Sequence, residues 1–399
     1  MNKSKKYIPP IVIPAYNRPE SLQKLLDSLN SAHYPTESID LYISLDYGAT
    51  PEVEIVANSF EFSHGNKNII KRDHKQGVKN HILACAELSE DYGSVLILED
   101  DLIVSPDYYL YASEALQFYS SENSVAGISL YSQRFNETAH LPFEPLPCEY
   151  AVYFMQLACS WGQAWTAEQF KMFKEWSIES KSEESAIENG LPNNVKEWGN
   201  DSWKKVFNMY LLITNKTIVY PYRSFTTNNS EAGGRHMKNK GNLFQVPLSL
   251  FIGEDVTFHF PEFSKQKIRY DMFMESNPEI WAPYLGLKRD EICVDLYGTK
   301  PLELLNRYSY TITSRTGPKP LRSIPMNLRP HELNMKMSAS GGDAEQFHVY
   351  KKEQVVTLKP LTAKQYTELA IKFCYFKPVS RRFLWGYLQR IVFEIFKKK

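Results

Sequence analysis

Several features are scarce or missing in this sequence, and each absence excludes a class of protein. No apolar run approaches the roughly 18–20 residues of a membrane-spanning helix. The five cysteines are scattered, odd in number and form no Cys-x-x-Cys pair, so neither a disulfide framework nor a zinc site is indicated. Lys+Arg and Asp+Glu both number 46, whereas a dedicated nucleic-acid binder normally has a basic excess. We therefore expect a soluble, cytoplasmic protein that does not bind nucleic acid.

Glycine-rich phosphate loops are also missing. The sequence contains neither a Gly-x-Gly-x-x-Gly fingerprint nor a Walker loop, which excludes the common dinucleotide and P-loop sites. Aromatic residues, in contrast, are abundant at 14% of the chain. They are expected either to fill a large core or to provide flat surfaces on which sugar rings or bases stack.

The first 130 residues alternate between strand-like and helix-like patterns. Leucines at 22, 25, 26 and 29 have the spacing of a helix. Short apolar runs, which predict strands, lie before and after this helix. The runs that predict strands are Ile11–Ile13, Leu41–Leu45, Asn68–Ile70, Ser94–Leu98 and Val125–Leu130. Strands separated by helices predict an α/β fold with a mainly parallel sheet, in which ligands bind beyond the carboxyl ends of the strands.

Distinctive polar residues stand at those strand ends. Tyr16, Asn17 and Arg18 follow the first strand, Asp46 follows the second, and Glu99, Asp100 and Asp101 follow Ser94–Leu98. Three consecutive acids favour a divalent cation, Mg²⁺ or Mn²⁺, held by carboxylates together with substrate phosphates. With Arg18 and Asp46 they outline a site for a nucleoside diphosphate. The alternative is a helix N-terminus enriched in acids, ahead of Ser105-Pro106.

The middle of the chain adds aromatic and basic residues. Trp161 and Trp165 either share one helical face or flank a turn, and they provide an apolar floor for an acceptor sugar or belong to the core. Asp201, at a predicted helix start, is our expected general base, with a helix N-cap as the alternative. Arg235 and His236 lie in a basic loop; they are expected to contact the diphosphate and the metal, or else to be solvated.

We place a domain boundary near residue 260. Residues 261–399 carry no motif whose chemistry is legible, except that residues 381–396 have an apolar stripe at helical spacing and end in Lys397–Lys399. Such a basic amphipathic helix binds anionic membranes peripherally, or packs on the rest of the protein.

The strand-end motifs resemble a known family. Ile11–Pro19 is similar to the opening of GT-A glycosyltransferases, and Leu98–Leu102 followed by Ser105–Tyr109 resembles their Asp-x-Asp region. The Glu-Asp-Asp-Leu variant is similar to that of N-acetylglucosaminyltransferase I, and Ser44–Gly48 resembles its uracil-binding stretch. Residues 159–165 and 201–236 resemble bacterial GT-A sugar transferases linked to surface polysaccharides. The resemblance covers roughly residues 8–240.

This resemblance implies an inverting, metal-dependent transfer of a sugar from a UDP-sugar to a glycan or lipid-linked acceptor. Asp101 would hold the metal, Glu99 and Asp100 would contact the sugar or ribose, and Asp46 would face uracil. Arg18 would bind the nucleotide, and Lys79 and Asn80 occupy the place where the family contacts the base. Asp201 corresponds to the family's catalytic base.

Two other classes stay open at this stage. A nucleotidyltransferase shares the sheet architecture but has a Gly-rich basic loop after the first strand, which this sequence lacks. A sugar-binding or scaffold protein without activity would tolerate loss of the acids, whereas Asp46, Asp100, Asp101 and Asp201 are all present.

Overall fold

The computed structural model describes residues 7–35, 38–179, 183–199, 201–229, 244–250, 256–337, 346–374, 385 and 388–389. The chain divides into two compact units. Unit 1 comprises Met1–Thr138 and Glu144–Ile280, and unit 2 comprises Ala139–Phe143 and Trp281–Lys399. No helix in the described part of the chain is both long and apolar enough to cross a membrane.

Strands and helices alternate along the first half of the chain, as the sequence predicts. The strands are β1 (Ile11–Ala15), β2 (Leu41–Leu45), β3 (Lys67–Lys71), β4 (Ser94–Ile97), β5 (Leu102–Val104), β6 (Val125–Ser129), β7 (Phe135–Asn136), β8 (Leu141–Pro142, in unit 2), β9 (Val152–Met155), β10 (Gln163–Thr166), β11 (Thr217–Pro221), β12 (Thr226–Asn228) and β13 (Arg269–Tyr270). The helices are α1 (Pro19–Asn30), α2 (Pro51–Ser59), α3 (Gly77–Ala86), α4 (Ser89–Tyr92), α5 (Tyr108–Tyr119), α6 (Ala167–Glu179), α7 (Glu183–Glu188), α8 (Asn193–Lys196) and α9 (Trp203–Ile213).

Unit 1 is built on a nine-stranded sheet with the order β13-β9-β11-β6-β10-β4-β1-β2-β3. The pairs β1–β2, β2–β3, β1–β4, β6–β11 and β9–β13 are parallel, and the remaining three pairs are antiparallel. All residues of β1 and β4 are buried, as expected for central strands covered on both faces. The predicted α/β fold with a mainly parallel sheet is confirmed.

Helix α1 shows why the local sequence folds as it does. Pro19 stands at the first helical position, where its missing N–H costs nothing. Leu22, Leu25, Leu26 and Leu29 are fully buried and belong to the same core cluster as the β1 side chains. The amino end of α1 therefore lies directly after the carboxyl end of β1, which brings Arg18 to the sheet edge.

The structure also corrects parts of the sequence interpretation. Trp161 and Trp165 do not share a helical face, because Trp165 lies in β10 and Trp161 in the bend before it. The acids at 99–101 do not open a helix, since β5 stands between them and α5. The sequence patterns did not indicate β10, which enters the sheet antiparallel between β4 and β6.

Unit 2 has a sheet of its own. Its further strands and helices are α10 (Ala282–Leu285), β14 (Ile292–Asp295), α11 (Leu302–Leu305), β15 (Tyr310–Thr313), β16 (Arg322–Pro325), α12 (Leu333–Lys336), β17 (Gln346–Lys351), α13 (Lys352–Val355) and α14 (Ala363–Phe373). The strand order is β14-β15-β17-β16, with the first pair parallel and the other two antiparallel. Cys293, Leu305, Tyr350, Val355 and Leu358 form a buried cluster within it.

Candidate active site

The carboxyl ends of β1, β2 and β4 lie side by side because these strands are parallel neighbours. The residues that follow them therefore meet at one edge of the sheet. Arg18 follows β1, Asp46 follows β2, and Glu99, Asp100 and Asp101 follow β4. The topology thus brings together the groups that the sequence placed at separate strand ends.

Arg18 is the centre of this cluster. Its guanidinium pairs with both Asp100 and Asp101, and the Nη1 to Oδ2 distance for Asp101 is 2.5 Å. Burial disfavours the charge of Arg18, but the neighbouring acids outweigh it and raise the pKa of the guanidinium. Arg18 is therefore held as a cation at the strand edge, in the position where a diphosphate would need one.

Burial dominates the electrostatics of the neighbouring acids. It raises the pKa of Asp100 to about 7, although the charge of Arg18 opposes this shift. It also raises the pKa of Glu99 to about 8, reinforced by Asp101 and opposed by Arg18 and Lys204. Acids held so far from water need a cation or a ligand hydroxyl to offset the cost of their charge.

The acid cluster fits a divalent cation at one position. Oδ1 of Asp101 is buried and has no hydrogen-bond partner among the described residues, while Oδ2 faces Arg18. Within the described residues, no group of three or more His, Cys, Asp or Glu side chains is arranged to hold a metal. Asp101 would thus supply one carboxylate ligand, and substrate phosphates and water would have to supply others, which is the usual arrangement for Mg²⁺.

The carboxylate of Asp46 accepts hydrogen bonds from three backbone N–H groups. Its Oδ1 accepts hydrogen bonds from the N–H groups of Tyr47 and Gln76, at 2.9 and 2.8 Å, and its Oδ2 accepts one from Gly77 at 3.0 Å. Asp46 therefore anchors the start of α3 to the end of β2. The turn after it closes through the N–H of Ala49 on the Asp46 carbonyl and needs Gly48, whose φ is 82°.

The other predicted nucleotide ligands surround this turn. Tyr16 and Asn17 are exposed, and the carbonyl of Tyr16 accepts from the N–H of Thr50. Lys79 is half-buried and Asn80 exposed, both on α3. Their contact with a base stays a prediction.

Residue His81, which the sequence interpretation missed, lies on the buried face of α3. Its Nε2 is 2.8 Å from Oγ of Ser44, one strand position from Leu45. Nε of Arg72 donates to the same hydroxyl at 3.1 Å. The sequence did not predict this contact, because a single histidine among apolar residues forms no distinctive local pattern.

Asp201 is exposed and lies two residues before Trp203, the first residue of α9. The N-cap of α9 is Ser202, whose side chain accepts a hydrogen bond from the N–H of Lys205. The alternative role of Asp201 as the helix N-cap is therefore not what the structure shows. Its role as the base stays a prediction.

The two tryptophans of the expected acceptor wall have different environments. Trp165 is 1% exposed and packs against Trp203 and Phe207, with centroid distances of 5.9 and 5.6 Å, which is the core role. The prediction that Trp165 contacts an acceptor sugar is therefore wrong, because the ring is buried in the core. Trp161 is half-buried and has Tyr131 and Phe244 at 4.7 and 4.8 Å.

Lys204 is a site residue that sequence reasoning missed. Its Nζ lies 5.3 Å from the ring centre of Trp161 and 5.0 Å from that of Trp198. Its charge also lowers the pKa of Glu99, so it faces the acid cluster. The sequence offered one indication of this role: Lys204 stands three residues after Asp201, the candidate base at a predicted helix start.

Arg235 and His236 lie outside the described residues. The described chain stops at Asn229 and resumes at Phe244. The N–H of Asn229 donates to the carbonyl of Asp101 at 2.7 Å, and Phe244 packs on Trp161. Both flanks of the segment that holds Arg235 and His236 therefore lie at the candidate site.

The α/β fold and the acid cluster at its strand ends agree with the resemblance to GT-A glycosyltransferases. Residues 11–169 match the family model described as Glycosyl transferase family 2. This segment holds Arg18, Asp46, the three acids and Trp161, and the match confirms the resemblance drawn from the sequence. Asp201 and Lys204 lie beyond it.

Comparison with curated proteins finds no match. Among solved structures, TarS 1–349 of S. aureus in complex with UDP-GlcNAc is 12% identical, with a TM-score of 0.36 over 56% of this chain and 59% of that one. Mannosyltransferase PcManGT from Pyrobaculum calidifontis, in complex with GDP-Man and Mn²⁺, is 12% identical, with a TM-score of 0.31 over 42% and 47%. GalNAc-T7 with UDP, GalNAc and Mn²⁺ is 9% identical, with a TM-score of 0.37 over 59% and 46%. The chain thus spans about half of the length of these proteins.

Proposed function

We propose that this chain is an inverting, metal-dependent glycosyltransferase. It would move an N-acetylhexosamine or a hexose from a UDP-sugar to a glycan or lipid-linked acceptor in surface polysaccharide synthesis. One observation carries the proposal: Arg18, Asp100 and Asp101 meet at the carboxyl ends of β1 and β4, inside the segment that matches glycosyl transferase family 2. The choice of UDP and of polysaccharide rests on the sequence resemblance.

On the donor side, we assign Arg18 to the diphosphate and Asp101 to Mn²⁺ or Mg²⁺. A guanidinium matches two phosphate oxygens at once, and the unpartnered Oδ1 of Asp101 is a ready ligand for a hard cation. The bound cation would stabilise the charge that develops on the departing diphosphate. Arg18 would bind the same diphosphate through its guanidinium.

On the acceptor side, we assign Asp201 as the general base. Its carboxylate would take the proton of the acceptor hydroxyl while the hydroxyl oxygen bonds to the anomeric carbon. The bond from that carbon to the diphosphate oxygen breaks in the same displacement, which inverts the anomeric configuration. The exposed position of Asp201 before α9 supports this role, since the base must be accessible to an incoming glycan.

A lipid-linked acceptor would bring the enzyme to a membrane surface. The basic amphipathic stretch within residues 381–399 is our proposed peripheral contact. Of this stretch, the structure describes only residues 385, 388 and 389.

The test of the proposed function is hydrolysis of a panel of nucleotide sugars with and without Mn²⁺, together with calorimetry of UDP binding. We expect metal-dependent turnover of at least one UDP-sugar. Absence of turnover for every donor, combined with absence of UDP binding, would overturn the proposal.

Two substitutions separate the assigned roles. Asp101→Ala should abolish the Mn²⁺ dependence of UDP binding, because the buried ligand oxygen is removed. Asp201→Ala should keep UDP binding and lower transfer by roughly 10²–10⁴-fold, the usual contribution of a general base. Asp91→Ala, an exposed acid on α4, is the matched control and should leave both measurements unchanged. Normal transfer by Asp201→Ala would remove this residue from the mechanism.

A further inference from the structure

Lys204 lies between two tryptophan rings at the edge of the candidate site. Its Nζ is 5.3 Å from the ring centre of Trp161 and 5.0 Å from that of Trp198. All three side chains are partly exposed, so solvent and ligands reach them. Within the described part of the chain, the Lys204 ammonium group contacts these two rings and forms no ion pair with a carboxylate, although Glu99 lies within range of its charge.

Lys205, the next residue of α9, has a structural role and provides a comparison with Lys204. Lys205 is 5% exposed, donates to the carbonyl of Lys196 at 3.0 Å and pairs with Glu183 at 2.8 Å. It ties α7 and α8 to α9. Lys204 has no such task, although the rings hold its charge in a defined place.

We propose that Trp161, Lys204 and Trp198 form an acceptor subsite for a sugar that carries a carboxylate or a phosphate group. This inference rests on the proposed function, because it names the acceptor class of the same site. Tryptophan faces pack on the apolar faces of sugar rings, and the ammonium group pairs with an anion attached to that ring. The pair of features selects an acidic sugar over a neutral one.

The position of Lys204 favours the acceptor over the donor. It lies on α9 three residues after Asp201, the group assigned to the acceptor hydroxyl. The donor diphosphate already has Arg18, which pairs with Asp100 and Asp101. Phe244 and Tyr131 pack against the Trp161 ring, so its position is fixed by the fold.

The experiment measures binding of three simple glycosides to the full chain by quenching of tryptophan fluorescence. The probes are methyl β-D-glucuronide, methyl β-D-glucoside and methyl β-D-glucoside 6-phosphate, each with and without UDP and Mn²⁺. We expect at least one anionic probe to bind roughly tenfold tighter than the neutral one, as a charge-assisted hydrogen bond predicts. Which anionic probe binds tighter distinguishes a uronic acid from a phosphorylated sugar.

Lys204→Met should abolish this preference while keeping UDP binding, since its apolar stem still fills the space between the rings. Lys204→Arg should restore most of the preference. Lys171→Met, at an exposed position on α6, is the matched control and should behave as the wild type.

Three results would overturn the inference: no difference between anionic and neutral probes, whether both bind or neither does; a preference that survives in Lys204→Met; or loss of UDP binding in Lys204→Met, which would assign the lysine to the donor. Failure of the proposed function looks different. In that case, neither the wild type nor any variant binds UDP or turns over a nucleotide sugar, whatever the glycosides do.

Discussion

Single residues in unit 1 differ mainly in how their polar groups are satisfied. Asp46 and His81 are both buried near the end of β2, and each is hydrogen-bonded to another segment of the fold. In the part of the chain that the structure describes, Asp101 has one buried oxygen without a hydrogen-bond partner, and the Lys204 ammonium group lies near two tryptophan rings. Buried polar groups that the fold satisfies stabilise it, whereas an unsatisfied carboxylate oxygen beside other charged groups is a candidate ligand for a bound cation.

His81 predicts a pH dependence of stability. Burial lowers its pKa to about 4, with Asp46 opposing and Arg72 reinforcing the shift. The unfolded chain, with an ordinary histidine pKa of about 6.5, therefore binds more protons between roughly pH 4 and 6.5, so the free energy of unfolding falls as the pH falls through that window. The loss attributable to His81 is about 3 kcal/mol at its largest.

We expect His81→Gln to remove this part of the pH dependence in chemical denaturation series between pH 4 and 7. His74→Gln, at an exposed position, should keep the wild-type slope. An unchanged slope in His81→Gln would mean that the buried imidazole is not held neutral.

At the scale of elements, β10 is the strand on which the site depends most. It runs antiparallel between β4 and β6, and it carries Gln163 beside the end of β4 and Trp165 into the core. Trp165 lies so close to β6 that a Cβ on Gly127 would be 2.6 Å from its ring. Close packing of a large ring on a backbone explains the glycine in the middle of a strand.

Gly127→Ala should therefore lower the free energy of unfolding by about 1–3 kcal/mol, because Trp165 is buried and packs against Trp203 and Phe207, which limits how far its ring can shift. A double-mutant cycle with Trp165→Phe, followed by urea denaturation, checks the cause. The smaller ring should relieve most of the added cost of Gly127→Ala. Strictly additive effects would exclude the ring contact as the reason.

At the scale of the whole molecule, unit 2 is stabilised by a buried ionic centre of its own. Asp295 is fully buried, and its Oδ2 accepts from Oγ1 of Thr313 at 2.8 Å and from Nε of Arg315 at 3.1 Å. Its Oδ1 accepts from the N–H of Lys300 at 2.9 Å. These residues join the ends of β14 and β15 to the loops that follow them.

Asp295→Ala should destabilise unit 2 by about 3–5 kcal/mol, because Arg315 would keep a buried charge without its carboxylate. Calorimetry of the full chain should show a lowered unfolding transition, with UDP binding retained because every contact described for Asp295 lies in unit 2. Asp290→Ala, at an exposed position, is the control. Equal unfolding temperatures for the two variants would contradict this role.

The sequence by itself determined the alternation of strands and helices in the first 130 residues and the placement of Arg18 and the acids 99–101 at strand ends. These follow from local spacing, since apolar periodicity and the residue directly after a strand are both read within a few positions. The domain boundary near residue 260 stays a prediction.

Only the tertiary structure decided which of the aromatic and charged residues share a site. Trp165 is buried and Trp161 half-exposed because β10 inserts antiparallel between β4 and β6, a pairing between segments that are distant along the chain. The contact of Lys204 with Trp161 is likewise one between segments distant along the chain, since Lys204 lies on α9 and Trp161 before β10. The carboxylate of Asp46 accepts hydrogen bonds from the N–H groups of Gln76 and Gly77, about thirty positions away. No local sequence pattern predicts such long-range contacts.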